Sequence, residues 1–150
     1  MYKRQVLILA ACSGIAVKSA AAPANVSTNA GETGANPLDR ADKQGAVTVT
    51  VTPTNLSSPG ETLDFDVTLE THSVELSMDL GTLSTLKTDT GITVKATGWD
   101  GPKGGHHVEG KLSFPAIQDG KSILQDAKTL TITIQKVDAE ARTFSWEITK

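Results

Sequence analysis

The chain has 150 residues, with 14 Lys and Arg against 17 Asp and Glu, a net charge of −3, and one cysteine. That length allows a single domain. The longest basic run is Lys3-Arg4, which excludes a nucleic-acid footprint, and one cysteine excludes an intramolecular disulfide.

The chain opens "MYKRQVLILAACSGIAVKSAAAP". Two positive charges, an apolar run and then small residues are the pattern of an export signal over residues 1–22. Leu9-Ala10-Ala11-Cys12 resembles the lipobox of bacterial lipoproteins. The resemblance implies cleavage behind Ala11, acylation of Cys12 and a membrane-anchored place outside the cytoplasm, periplasmic or at the cell surface. Ser13, where some lipoproteins carry Asp, resembles the outer-membrane sorting pattern. An alternative cut by an ordinary signal peptidase in the Ser19–Ala22 region fits Ser19-Ala20-Ala21 and would give a secreted soluble protein. Cleavage before Cys12 is the favoured reading. Lys18 interrupts the apolar run short of the about 20 residues a membrane-spanning helix needs.

Residues 13–44 are rich in Ala, Ser, Asn, Gly and Pro, without an aromatic residue or a sustained apolar period. Such a segment cannot bury enough surface to offset its conformational entropy. It reads as a flexible tether, ahead of a folded domain over residues 45–150.

From Ala46 the pattern alternates. In "AVTVTVTP" Val47, Val49 and Val51 share one face and Thr48, Thr50 and Thr52 the other, the period of a half-buried strand. In "TLDFDVTLET" Leu63, Phe65, Val67 and Leu69 face inward, and Asp64, Asp66 and Thr68 outward. "SVELSMDL" puts Val74, Leu76, Met78 and Leu80 on one parity. Leu80, Leu83 and Leu86 then recur every third residue, which predicts a short helical turn near Asp79–Leu86. Further strands place Ile92, Val94 and Ala96, then Val108, Leu112 and Phe114, then Leu130, Ile132 and Ile134, and finally Phe144, Trp146 and Ile148 inward. About seven short strands separated by turn signals predict an all-β fold, an antiparallel immunoglobulin-like β-sandwich with one short helical turn.

The chemical candidates are few. Parity predicts His72, sharing a face with Val74 and Leu76, and His106, sharing a face with Val108, as an inward pair at one end of the sandwich. His107 and Glu109 face outward. Imidazole nitrogens suit copper, zinc or nickel. His72, His106 and His107, with Met78 as a thioether and Asp100 or Glu109 as a carboxylate, form the candidate metal set, with copper or zinc the expected ion. Against it, no HxxxH or CxxC spacing is present, and adjacent histidines on a strand point to opposite faces. "GPKGG" lacks the frame of a phosphate loop, and no GxSxG elbow occurs. Asp64 and Asp66 read as solvated carboxylates. Trp99 and Trp146 are candidates for stacking on a sugar, with Trp146 on the inward parity.

The body resembles uncharacterised exported immunoglobulin-like sandwich proteins of bacteria in "THSVELSMDL" and "GGHHVEG", a likeness that implies no activity. Small periplasmic copper-binding sandwiches are similar in size and architecture. The expected function is a non-enzymatic, membrane-tethered, extracytoplasmic binding or structural module in the cell envelope. Its partners would be the membrane, through the N-terminal lipid anchor, and an envelope protein. The alternative is a copper- or zinc-binding protein using His72 and His106. A hydrolase is disfavoured for want of a nucleophile–base pair.

Overall fold

A computed structural model describes residues 36–149. The chain divides into two units at Glu32–Thr33, and the described residues all belong to the second. The export region, Cys12 and the first part of the tether lie outside them. Eleven strands and one helix of four residues are formed by the described residues: β1 Arg40–Gln44, β2 Val47–Pro53, β3 Thr62–Thr71, α1 Leu80–Leu83, β4 Ser84–Thr88, β5 Thr93–Lys95, β6 Gly98–Trp99, β7 His107–Pro115, β8 Ile117–Gln118, β9 Lys121–Ser122, β10 Thr129–Gln135 and β11 Ala141–Glu147.

Sheet A has the order β1-β2-β3-β7-β6, sheet B the order β11-β10-β4-β5, and β8-β9 is a separate hairpin. Every pairing is antiparallel. With β2 as strand A, β3 as B, β4 as C, β5 as C′, β6 as D, β7 as E, β10 as F and β11 as G, the sheets read A-B-E-D and G-F-C-C′. That is the immunoglobulin order, with β1 added beside the first strand. The all-β sandwich follows from the alternation. Val47, Val49, Val51, Leu63, Phe65 and Val67 from sheet A and Leu86, Leu130, Ile132, Ile134 and Phe144 from sheet B are all buried. Each such side chain contributes roughly 1.5–3 kcal/mol when removed from water, so the apolar stripe decides which face of a strand turns inward. Phe65 ties the layers together, edge-on to Phe114 at 5.8 Å and tilted against Trp146 of sheet B at 5.5 Å.

Two expectations are corrected. The tether does not run to residue 44, because Arg40–Gln44 form β1, paired with β2 from Arg40↔Val51 to Gln44↔Val47. This strand has no apolar stripe. It is held by the β2 ladder and by polar contacts to β11, across the edges of the two sheets. Arg40 Nε donates to Ser145 O at 3.1 Å and Gln44 Nε2 to Ala141 O at 3.3 Å. Arg142, fully buried, donates from Nε to Val137 O, from Nη1 to Asp42 O and Asp42 Oδ1, and from Nη2 to Gln44 O. The predicted helical turn at Asp79–Leu86 is also shorter than expected. Asp79 caps it by accepting from Gly81 N, and it ends at Leu83. Ser84–Thr88 are instead the central strand β4, with Ser84, Leu86 and Thr88 inward. Leu86 sits opposite Ile132, and that contact across the sheet outweighs the local three-residue rhythm.

Asp89, just past β4, pins the start of β10. Its Oδ1 accepts from the backbone N–H of Lys128 at 2.9 Å and of Thr129 at 3.3 Å. These amides, Lys128's foremost, hold the Asp89 carboxyl below its ordinary value of 3.8. A depressed folded-state value means that the contribution to stability is present above the ordinary value and is lost as pH falls through the lowered one. Asp89→Asn should therefore lower the melting temperature at neutral pH. The gap to the parent should narrow as the pH is taken below 3.8, which a pH series of thermal melts would show.

Candidate functional site

The end of β3 and the start of β7 form one corner of sheet A. Glu70 lies opposite His107, and one step further Thr71 N donates to His106 O at 2.9 Å. His107 Nδ1 is 3.4 Å from Glu70 Oε1, with both side chains more than half exposed at 61% and 58%. An exposed contact of that kind contributes about 0–1 kcal/mol.

His72 and His106 do not form the predicted inward pair, since both are exposed. Inward positions in β3 are odd-numbered through Thr71. A bend at residues 72–74 shifts the phase, and from Val74 the covered positions are even-numbered: Val74, Leu76, Met78 and Leu80. His72 therefore falls on the outward phase of β3. His106 stands one residue before β7. His107 and Glu109 are exposed, as expected. Met78 is packed against the core, and Asp100 Oδ1 accepts from Lys111 N within the hairpin of β6 and β7. Among the described residues no group of three or more His, Cys, Asp or Glu side chains gathers to hold a metal ion.

The glycines before the histidines have a backbone task. Gly104 N donates to Leu76 O at 2.7 Å, and Leu76 N to Gly105 O at 3.1 Å. Gly105 N reaches Glu75 Oε1 at 3.1 Å. The loop thus pairs with the extended segment after β3, using φ of +94° and +99° at Gly104 and Gly105, values that glycine adopts without steric cost. Trp99 is half-buried, with Gly101 seated on its ring. A Cβ on Gly101 would come 2.0 Å from that ring, and one on Gly110 only 2.5 Å from the Gly101 backbone. The indole is thereby covered on that side by the chain itself.

Trp146 floors a shallow groove of about 560 Å³ lined by Leu38, Arg40, Thr129, Ser145 and Glu147. Its ring is 2% exposed, its Nε1 donates to Leu38 O at 2.6 Å, and the Arg40 guanidinium stands 5.9 Å from the ring centroid. Arg40 itself is engaged with the carbonyls of Pro37, Asp39 and Ser145. Trp146 offers no open face for stacking on a sugar, and the side of Trp99 that Gly101 covers is closed to one.

The outer faces of both sheets carry charges of both signs, with Lys43 and Lys111 on sheet A and Glu147, opposite Thr129, on sheet B among them. On sheet A the outward positions include Asp64, Asp66, Glu70 and Glu109, with Lys111 opposite Asp66. On sheet B one row across the strands runs Thr143, Thr133, Thr85, Lys95. The next row runs Ser145, Thr131, Lys87, Thr93. Thr131 Oγ1 and Ser145 Oγ are hydrogen-bonded at 2.8 Å. The alternating threonines were visible in the sequence, but their lateral alignment needs the strand register.

No family model matches the chain, and no curated protein matches it. Among solved structures it is similar to a DUF4426 family protein from Pseudomonas aeruginosa PAO1. That likeness has 16% sequence identity and a TM-score of 0.43, and covers 71% of this chain and 92% of that one. The strand order itself defines the class, an immunoglobulin-like β-sandwich.

Proposed function

We propose that the protein is a non-enzymatic, membrane-tethered module of the extracytoplasmic cell envelope that binds a partner or supports an assembly. The observation that carries this reading is the lipobox-like Leu9-Ala10-Ala11-Cys12 behind a short basic and apolar leader. Acyl chains on Cys12 give the attachment, since more than one chain makes it durable. Residues 13–35, rich in Ala, Ser, Asn and Gly, give the spacing that lets a sandwich stand clear of the bilayer. Cys12→Ser should move the protein from the membrane pellet to the soluble fraction of cells. A parent protein already soluble would overturn the anchor in favour of plain secretion.

A second reading is a copper- or zinc-binding surface using His72 and His106, with His107 beside them. The favouring observation is the hydrogen bond from Thr71 N to His106 O at 2.9 Å, which makes the two imidazole-bearing positions neighbours at the ladder end. Under this reading Cu²⁺ or Zn²⁺ raises the melting temperature by binding the folded state, and His72→Ala and His106→Ala each remove the rise. Identical melts with and without the ions sink it.

A further inference from the structure

The dipeptide Asp-Gly occurs twice in the chain, at Asp100-Gly101 and Asp119-Gly120. It has a chemistry of its own. Glycine has no Cβ, so its amide nitrogen can approach the side-chain carboxyl of the preceding aspartate and close a five-membered ring. The attack is intramolecular, which gives it a high effective concentration. The two copies stand in different surroundings. Asp100 N donates to Lys111 O at 3.3 Å, and Asp100 Oδ1 accepts from Lys111 N. The Gly101 nitrogen lies so close to Gly110 that a Cβ there would come 2.5 Å from it. Neither the carboxyl nor the nitrogen is free to turn toward the other.

Asp119-Gly120 is the turn of the β8–β9 hairpin, with φ of +52° and +74°, positive at both central positions as in a type I′ turn. The hairpin belongs to neither sheet of the sandwich. It has two residue pairs, Ile117↔Ser122 and Gln118↔Lys121, and is exposed throughout. Among the described residues the Asp119 carboxylate accepts no hydrogen bond and pairs with no cation, and the Gly120 N–H donates to no acceptor. A two-stranded hairpin alone is marginally stable in water. The hydrogen bond from Ile123 N to Ala116 O at 2.9 Å closes the chain beneath this one, so the hairpin can open while the sandwich stays folded.

We propose that Asp119 is a site of self-modification, isomerising to isoaspartate through a cyclic imide with Gly120. Gly120 N attacks Asp119 Cγ and forms a C–N bond, and the carboxyl hydroxyl leaves with the amide proton as water. One water then adds to the imide. Opening the new bond restores aspartate. Opening the original peptide bond leaves Gly120 linked through Cγ, with the main-chain carbonyl of Asp119 now a carboxylate. One water leaves and one enters, so solvent is the one co-reactant. The product carries Cβ in the main chain. That lengthens a two-residue turn by one atom, and β8 and β9 lose their register.

The test incubates the full chain at neutral pH in H₂¹⁸O, folded or unfolded in urea, and then digests it in ordinary water with lysyl endopeptidase. Peptide 112–121 carries Asp119, and peptide 96–103 carries Asp100. Uptake of ¹⁸O reports passage through the imide, and resistance to an endopeptidase that cuts before aspartate reports isoaspartate. In the folded chain peptide 112–121 should convert roughly tenfold faster than peptide 96–103, the ratio for openings that differ by about 1.4 kcal/mol. In urea the two should convert at similar rates. Asp119→Glu, which would need a six-membered ring, should abolish conversion of peptide 112–121, and a thermal melt matching the parent would establish that it folds. The proposal is overturned by equal rates in the folded chain, by no conversion of peptide 112–121 there, or by conversion that persists in the Asp119→Glu variant.

Discussion

Arg142→Ala should destabilise the protein by about 3–5 kcal/mol, the range for breaking a buried ion pair from one side. The guanidinium is fully buried, and Asp42 is only 20% exposed, with Nη1 and Oδ1 2.6 Å apart. Removing the side chain also strands the carbonyls of Val137, Asp42 and Gln44, and an unmade buried hydrogen bond costs about 1–3 kcal/mol. The exposed pair of His107 and Glu70, at about 0–1 kcal/mol, gives the contrast within the same sandwich. Glu70→Ala should barely register in the same urea titration. Domains of this kind are stable by about 5–15 kcal/mol in total, so the Arg142 change takes a large share. Asp42→Asn, which keeps an acceptor and removes the charge, should lose less. A midpoint for Arg142→Ala unchanged from the parent would mean that β1 is not held through this side chain.

Trp146→Ala should cost a similar amount, about 3–5 kcal/mol, through the cavity that a buried aromatic leaves. The indole is 2% exposed, rests against Phe65 at 5.5 Å and donates to Leu38 O. Trp146→Phe separates these parts. It keeps the ring contact and loses the donor, so the cost should fall to about 1–2 kcal/mol. Urea unfolding of both variants in a Trp99→Phe background, followed by circular dichroism, gives the comparison. Equal losses for alanine and phenylalanine would show that the hydrogen bond outweighs the packing.

Strands with a two-residue rhythm were legible because burial of one face is written along the strand itself. Val47 to Val51, Leu63 to Leu69 and Leu130 to Ile134 are all covered at alternate positions, as expected. β1 resembles a tether in the sequence because Arg40–Gln44 bury no apolar stripe, and the side-chain contacts that fix them to β11 lie about a hundred positions away. β4 was concealed by Leu80, Leu83 and Leu86, whose spacing imitates a helical turn while Leu86 packs in the sheet opposite Ile132. The histidine pair failed at a single bend, since residues 72–74 exchange odd for even phase. Arg142 stands on the same parity as Phe144 and Trp146, and that parity was the available sign that a charge enters the core. The rows of side chains across the two outer faces depend on lateral register, which no single strand encodes.

The contacts between β1 and β11 also set an order of events. Asp42 and Gln44 meet Arg142 across about a hundred residues of chain, and such distant closures are slow to form. A chain made amino end first can close the hairpin of β1 and β2 at once, but the Arg142 partner of Asp42 arrives only with β11. The ladder to β2 is therefore the early half of β1's attachment and the buried guanidinium the late half, a seal between the two sheets that waits for both ends of the domain.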